Sequence, residues 1–118
     1  MNNTNQPSLA ISIRQPYVEM ILRGIKKDEY RSRLTNIRGE VYIYAARKPG
    51  DPKYYSKLGV EPGTLPVGVI VATVEIVNCK YRFLYGDYEW ELANPRRLQQ
   101  PIKPDRQPQP VFFKPFNV

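Results

Sequence analysis

The sequence has no histidine and a single cysteine, Cys79, among its 118 residues. Without histidine a Ser-His-Asp triad cannot form, and one cysteine excludes an internal disulfide and a structural zinc site of the usual Cys/His type. Any catalysis would therefore use Lys, Arg, Asp, Glu, Tyr, Ser, Thr or Asn, and we expect no metal and no cofactor. The lone cysteine favours a reducing compartment, and hence a cytoplasmic location.

Long apolar runs are also missing. No stretch approaches the roughly 18 residues that a membrane span requires, so we expect no membrane segment. Residues 1–8 are polar, uncharged and without an apolar core, which predicts a flexible N-terminal tail and not a secretory signal or transit peptide. Residues 9–118 have the size of one domain, and the 42% hydrophobic and 25% charged composition is typical of a globular chain.

Acidic residues are few relative to basic ones. The chain has 18 Lys and Arg against 11 Asp and Glu, a net charge of +7. The excess is uneven: residues 1–60 hold 11 basic and 5 acidic residues, whereas residues 61–118 hold 7 and 6. A basic half favours a polyanionic partner, most often RNA or another single-stranded nucleic acid. The alternative is that the charge serves solubility alone.

The hydrophobic pattern predicts many short strands and one clear helix. Strands are expected at 9–13, 28–33, 39–46, 67–77, 81–84, 88–92 and 111–116. The helix follows Pro16 and stops before Gly24. Residues 47–66 are expected to form a long loop with a short helix at 52–58, and the five prolines of 95–110 predict extended coil. Together these elements favour an α+β, mainly β fold: a small β-barrel with one or two short helices.

Ionisable side chains converge within residues 11–31. Lys26 follows the predicted helix, and Glu29 and Arg31 are two apart on the next strand, so they share a face. Arg14 lies at the opposite end of the helix. Such a cluster either lines a site or forms a solvated ion-pair network.

Five segments carry a family resemblance. They are LAISIRQPY at 9–17, GIKKDEYRS at 24–32, RGEVYIYAA at 38–46, LPVGVIVATVE at 65–75 and YEWELANPR at 88–96. In this order they resemble the ASCH domain, a branch of the PUA-like β-barrels, and they span most of residues 9–116. The Gly-x-Lys-x-x-Glu-x-Arg run from Gly24 to Arg31 is the most specific part. The resemblance implies a single ASCH-like domain at 9–118, a PUA-like pseudo-barrel whose helix borders a cleft that binds RNA or a nucleobase.

The same resemblance suggests a chemistry. Some small members look like amidohydrolases that deacylate N4-acylated cytidine with a Lys, a Thr and a Glu, and one has been described as a ribonuclease. By position Lys26 matches the catalytic lysine, whereas Glu29 stands where those amidohydrolases have threonine. Glu75 is the candidate for a second acid. The catalytic set is therefore Lys26, Glu29 and Glu75.

A wider set of side chains is suited to binding a nucleotide or a modified nucleoside. Lys26 and Arg31 would hold phosphate, Glu29 would accept from an exocyclic amine, and Tyr17 or Trp90 would stack on a base. The complete binding set is Ser12, Arg14, Gln15, Tyr17, Lys26, Glu29, Arg31, Trp90 and Asn94, with a basic rim of Arg47, Lys48, Lys53 and Arg96. Three functions remain open: a nucleic-acid or nucleotide binding module, a small hydrolase using the same cleft, and a protein-interaction domain.

Overall fold

The structure is a computed structural model that describes residues 6–117. Residues 1–5 of the predicted tail lie outside the described residues, and 6–8 form no helix or strand. The elements are β1 (Ala10–Arg14), α1 (Tyr17–Leu22), β2 (Asp28–Arg31), β3 (Gly39–Ala46), α2 (Lys53–Leu58), β4 (Val69–Arg82), β5 (Asp87–Ile102) and β6 (Phe112–Phe113). Six strands and two short helices confirm the predicted mainly β class.

One sheet with the strand order β2-β5-β4-β3-β1-β6 curls into a half-barrel. Neighbouring strands are antiparallel except β1 and β3, which run parallel with Arg14 opposite Ala46. Because the carboxyl ends of parallel strands lie at the same edge, the residues that follow β1 and β3 leave the sheet side by side. This edge is where the cleft described below forms.

The core lies between α1 and the sheet. Ile11 and Ile13 of β1 and Val41 and Ile43 of β3 are at most 2% exposed, as expected for β-branched residues on a buried strand face. The apolar stripe of α1 packs against them. Burying one such side chain contributes about 1.5–3 kcal/mol, so this layer holds α1 in position beside the cleft. Between residues 6 and 117 no helix is long and apolar enough to cross a bilayer.

The predictions for 67–102 need correction. β4 is one strand running to Arg82, so 81–84 is not a separate element, and β5 continues to Ile102 through part of the predicted coil. The pairing between β4 and β5 shifts around Pro95 and again between Arg97 and Ile102. Proline is tolerated at such bulges because its missing N–H is not needed there. Residues 103–110 are irregular, as predicted, and β6 is a short edge strand.

Gln15 connects α1 to the long loop. Its side chain is 1% exposed; Nε2 donates to the carbonyl of Pro66 at 3.0 Å, and Oε1 accepts from the N–H of Glu19 at 3.1 Å. The N–H of Gly50 also donates to the Gln15 carbonyl at 2.7 Å. Because these partners come from both ends of the loop, Gln15 fixes the loop against the start of α1.

Glu19 forms the second polar anchor of α1. Its carboxylate accepts from Arg23 Nε at 2.9 Å and from Arg97 of β5 at 3.1 and 3.2 Å. Burial by itself raises the pKa of Glu19, but the hydrogen bonds and charges of Arg97 and Arg23 outweigh it and hold the pKa below its usual value of 4.5. The pair with Arg97 joins the helix to the far side of the sheet.

We expect Glu19→Gln to lower the free energy of unfolding at pH 7 by about 1.5–3 kcal/mol, the usual contribution of hydrogen bonds to charged groups. Because the folded-state pKa is depressed, this stabilisation is complete above pH 4.5 and is lost as the pH falls through the folded-state pKa. Urea unfolding of both proteins between pH 7 and pH 3 measures it. The control is Glu61→Gln on the exposed loop; a Glu19→Gln deficit of constant size across this range would contradict the expectation.

Candidate functional site

A cleft of about 540 Å³ opens where β1 and β3 end, next to the edge strand β2. Its lining residues are Ser12, Arg14, Tyr17, Glu29, Arg31, Tyr44, Ala46, Lys48, Pro108, Gln109, Pro110 and Val111. The floor comes from β1, β2 and β3, and one wall comes from the proline-rich segment before β6. Three cations and one carboxylate line it, so the cleft is electropositive.

Glu29 sits between two cations at the centre of the candidate site. Its Oε1 lies 3.3 Å from Lys26 Nζ, and its Oε2 accepts from Arg31 Nε at 2.9 Å. Lys26 Nζ also donates to the carbonyl of Asp28. The three side chains are only 12–19% exposed, so the group is largely desolvated and its excess charge is positive. With these donors in place, Glu29 keeps unused lone pairs that can accept from a ligand.

Arg31 connects the edge strand β2 to β1, which lies next to the opposite edge of the curled sheet. One guanidinium nitrogen donates to the carbonyl of Ser12 in β1 at 2.7 Å, and the group lies 5.5 Å from the centre of the Trp90 ring. The fork-shaped guanidinium can donate to Glu29 and Ser12 at once, which an ammonium could not do in the same geometry. Arg31 is thereby a positioning group for Glu29.

Arg14 and Lys48 are the exposed cations of the cleft. In the part of the chain that the structure describes, neither lies within 4.0 Å of a carboxylate. Arg14 is the last residue of β1 and Lys48 follows β3, and the parallel pairing of these strands places both cations at the same edge. Cations that no protein carboxylate neutralises are available to an anionic ligand.

Tyr17 borders the cleft on the side of α1. Its ring packs so closely on Gly50 that a Cβ there would lie 2.3 Å from the ring, and its hydroxyl accepts from the N–H of Asp51 at 3.2 Å. Beyond Tyr17 and Glu29 a neighbouring cavity of about 390 Å³ extends to Lys26 and Tyr30. Lys26 thus lines this neighbouring cavity and not the main cleft, and it is connected to the cleft through its ion pair with Glu29.

Two residues of the predicted binding set lie in the interior instead. Gln15 is occupied by Pro66 and Glu19, as described above, and does not line the cleft. Trp90 is fully buried: its ring stacks on Phe112 and its Nε1 donates to the carbonyl of Arg33 at 3.0 Å. No face of the Trp90 ring is open to a base, so it supports the site from below and does not stack on a ligand.

The second predicted acid lies apart from the cluster. Glu75 of β4 accepts from the Asn94 side chain at 2.9 Å and lines none of the cavities described here. Asn94 borders a different pocket of about 260 Å³ behind Lys26, and its φ of 52° belongs to the β5 bulge. Glu75 is therefore not positioned to act with Lys26 and Glu29.

The predicted rim is split as well. Arg96 is held at 2.8 Å by Glu40, and that hydrogen bond lowers the pKa of Glu40. Lys53 lies on α2, 3.8 Å from Asp51, and does not line the cleft. Lys48 faces the cleft, and Arg47 lines an adjoining cavity. Only the rim residues that directly follow β3 reach this region.

Two components of the site were not predicted. Tyr44, which is not in the predicted binding set, is 4% exposed and lines the cleft. The segment from Pro108 to Val111 forms a wall, because the backbone of Val111 and the carbonyl of Gln109 accept from Ser12. The density of prolines indicated an extended chain, but nothing local in the sequence indicated what it covers. Among residues 6–117 no group of three or more His, Cys, Asp or Glu side chains is arranged to hold a metal.

Comparisons with known proteins agree with the fold. The model of the ASCH domain family matches residues 11–102. Activating signal cointegrator 1 from Homo sapiens is 32% identical over 80 residues, covering 58% of this chain, and the Mus musculus protein of the same name matches to the same extent. The match spans only 14% of the length of either relative.

We expect Arg31→Ala to red-shift the emission of Trp90, the only tryptophan in the sequence, and to raise its quenching by acrylamide. The substitution removes the group above the ring, leaves the Ser12 carbonyl without this donor and leaves Glu29 paired with Lys26 alone, which costs about 1–3 kcal/mol in the free energy of unfolding. Arg31→Lys is the control, because it retains the charge without the fork and should give an intermediate result. A wild-type spectrum and unfolding midpoint in Arg31→Ala would refute this account of Arg31.

Proposed function

The chain belongs to the ASCH domain family, and on this premise we propose that it is an RNA-binding module whose cleft takes an unpaired nucleotide. RNA binding is the expectation at the level of the family. The observation that supports it in this chain is the pair of exposed, uncompensated cations Arg14 and Lys48 at the mouth of the cleft.

The size and shape of the cleft suit a nucleotide. About 540 Å³ falls within the range of 300–1,000 Å³ typical of small-ligand sites. A base in a duplex has its edges paired and its faces stacked, whereas an unpaired base can enter a concave site. In this arrangement Arg14 and Lys48 contact the phosphate and Tyr17 lies against the sugar or base.

Glu29 is the group suited to reading a base edge. A carboxylate accepts from an exocyclic amine, as carboxylates do with the N4 amine of cytosine. Lys26 and Arg31 hold this carboxylate in a fixed orientation. Their two positive charges also offset its single negative charge, so the site is not net negative when an amine donor binds. An amino-bearing base such as cytosine or adenine is therefore favoured over uracil.

A second candidate is a hydrolase in the same cleft, and the contact of 3.3 Å between Lys26 Nζ and Glu29 favours it. A lysine beside a carboxylate is a common arrangement for acid–base chemistry. The amidohydrolase chemistry would require a hydroxyl nucleophile at the position of Glu29. The Ser12 hydroxyl, which also lines the cleft, does not replace it, because it donates to the Gln109 carbonyl at 3.0 Å. Binding without turnover is the better-supported function.

We expect single-stranded RNA to bind and Arg14→Ala/Lys48→Ala to weaken that binding about tenfold or more at 0.1 M salt. The slope of log K against log salt should become shallower by about 0.7, because both cations contact the same phosphate and one neutralised phosphate of a single strand contributes about 0.7. Fluorescence anisotropy with labelled octanucleotides rC8 and rU8 at 0.05–0.5 M salt measures both, and rC8 should bind more tightly than rU8.

The charge-matched control is Lys27→Ala/Lys114→Ala, two exposed lysines that do not line the cleft. It should lower the net charge equally and leave affinity near wild type. Equal losses in the two double variants would show that binding depends on overall charge alone, and would remove the cleft from the proposal.

The hydrolase candidate has its own test. With N4-acetylcytidine and a panel of other N4-acylated cytidines, we expect no release of the free acid above the buffer blank, because Glu29 replaces the hydroxyl that the related chemistry uses. Chromatography of the products over several hours detects slow turnover. Acid release that disappears in Lys26→Ala would reverse the order of the two candidates.

A further inference from the structure

A second basic cavity adjoins the cleft, and none of the roles considered so far uses it. It has a volume of about 290 Å³ and shares Tyr44 and Pro108 with the main cleft. Its cations are Arg47, Lys103 and Arg106, against one carboxylate, Asp105. Since the two cavities have walls in common, a ligand in one is next to the other.

Arg47 is held in this cavity by the backbone. A Cβ on Gly68 would lie 2.8 Å from the Arg47 guanidinium carbon, and Gly68 has a φ of +76°, which a side-chain-bearing residue rarely adopts. Glycine at this position therefore lets the guanidinium lie directly against the chain. Among residues 6–117 no carboxylate lies within 4.0 Å of Arg47 or Lys103, so both charges are uncompensated.

The opposite wall of the second cavity is fixed by the C-terminal segment. The N–H groups of Asp105 and Arg106 donate to the carbonyl of Pro115 at 2.8 and 3.2 Å. Asn117 engages both side chains: its N–H donates to the Asp105 carboxylate at 3.1 Å, and its amide oxygen accepts from Arg106 Nε at 2.8 Å. Asp105 is therefore occupied from within the wall, and the cavity presents a preformed excess of positive charge.

We propose that the second cavity binds the phosphate of the neighbouring nucleotide, so the ligand of this domain is a strand of at least two nucleotides and not a free nucleoside. The inference rests on the proposed function, because the first nucleotide occupies the cleft. A nucleoside in the cleft carries no group for Arg47 and Lys103, whereas a strand passing Tyr44 and Pro108 delivers a backbone phosphate to them. Guanidinium and ammonium groups are the usual phosphate ligands in proteins.

The test compares cytidine, cytidine 5′-monophosphate, the dinucleotide rCpC and rC8 on wild type, Arg47→Ala/Lys103→Ala, and the control Lys27→Ala/Lys114→Ala. Titrations followed by amide chemical shifts cover the weak ligands, and anisotropy of labelled rC8 covers the strong one. We expect the Arg47/Lys103 variant to lose about tenfold in rC8 affinity at 0.1 M salt, with a salt slope shallower by about 0.7 for the one phosphate no longer neutralised. Cytidine affinity should be unchanged in the same variant, because its site is the cleft alone.

Arg47→Lys/Lys103→Arg, which keeps both charges, should retain the wild-type salt slope and thereby separate a phosphate contact from a folding defect.

Failure of the inference and failure of the proposed function give different results. If rC8 binds through Arg14 and Lys48 but the Arg47/Lys103 variant binds it like wild type, the second subsite is wrong and the cleft stands. If the Arg47/Lys103 variant weakens cytidine as much as rC8, the cavity belongs to the nucleoside site and the requirement for a strand is overturned. If no ligand in the series binds, both proposals fall.

Discussion

The parallel pairing of β1 with β3 is the constraint on which the rest of the site depends. In an otherwise antiparallel sheet, this one parallel contact makes two strands end at the same edge, with Arg14 opposite Ala46. The chain must then cross the sheet between them, and α1 and β2 lie on that crossing. The end of β1 and the loop after β3 therefore lie together and bring Arg14 and Lys48 to one place. Antiparallel pairing would have sent these cations to opposite ends of the sheet.

Desolvation explains why only some of the cations near this edge are available to a ligand. Lys26 and Arg31 are mostly shielded from water, and charges in that position must be paired. Glu29 pairs both, and the Ser12 and Asp28 carbonyls take further donors. Arg14 and Lys48 are exposed and can remain uncompensated because water solvates them until an anion replaces it. The site thus divides into a buried ion-paired cluster, which orients the Glu29 carboxylate, and an exposed pair of cations, which is available to an anionic ligand.

Local pattern was sufficient for the elements whose neighbours in sequence decide their structure. β1, α1 and β3 follow from alternating or helical apolar spacing and from Pro16 and Gly24 at the ends of the helix. Arg31 and Glu29 share a face because strand geometry requires it, and the ion pair of 2.9 Å agrees.

The elements and residues that were predicted wrongly depend on partners that are distant in sequence. β5 tolerates Pro95 because the bulges against β4 remove the need for an N–H at this position. Trp90 is buried because its ring stacks on Phe112 and its Nε1 donates to the carbonyl of Arg33. Gln15 was expected at a ligand because its side-chain amide suits a base edge, whereas Pro66, 51 residues away, determines its role.

The identity of residue 29 bears on whether this site binds or reacts. A threonine there would be a nucleophile that a neighbouring lysine could activate, whereas Glu29 forms an ion pair with Lys26. Glu29 in place of threonine also gives the cleft an acceptor for an exocyclic amine, which serves recognition and needs no turnover. Uncompensated cations in the adjoining cavity would not help a catalytic site that acts on a small nucleoside. They would help a site that holds a strand, because they can contact its next phosphate. Glu29 and the basic cavity beyond Tyr44 are separate features, and both favour retention of a polymer over chemistry on a monomer.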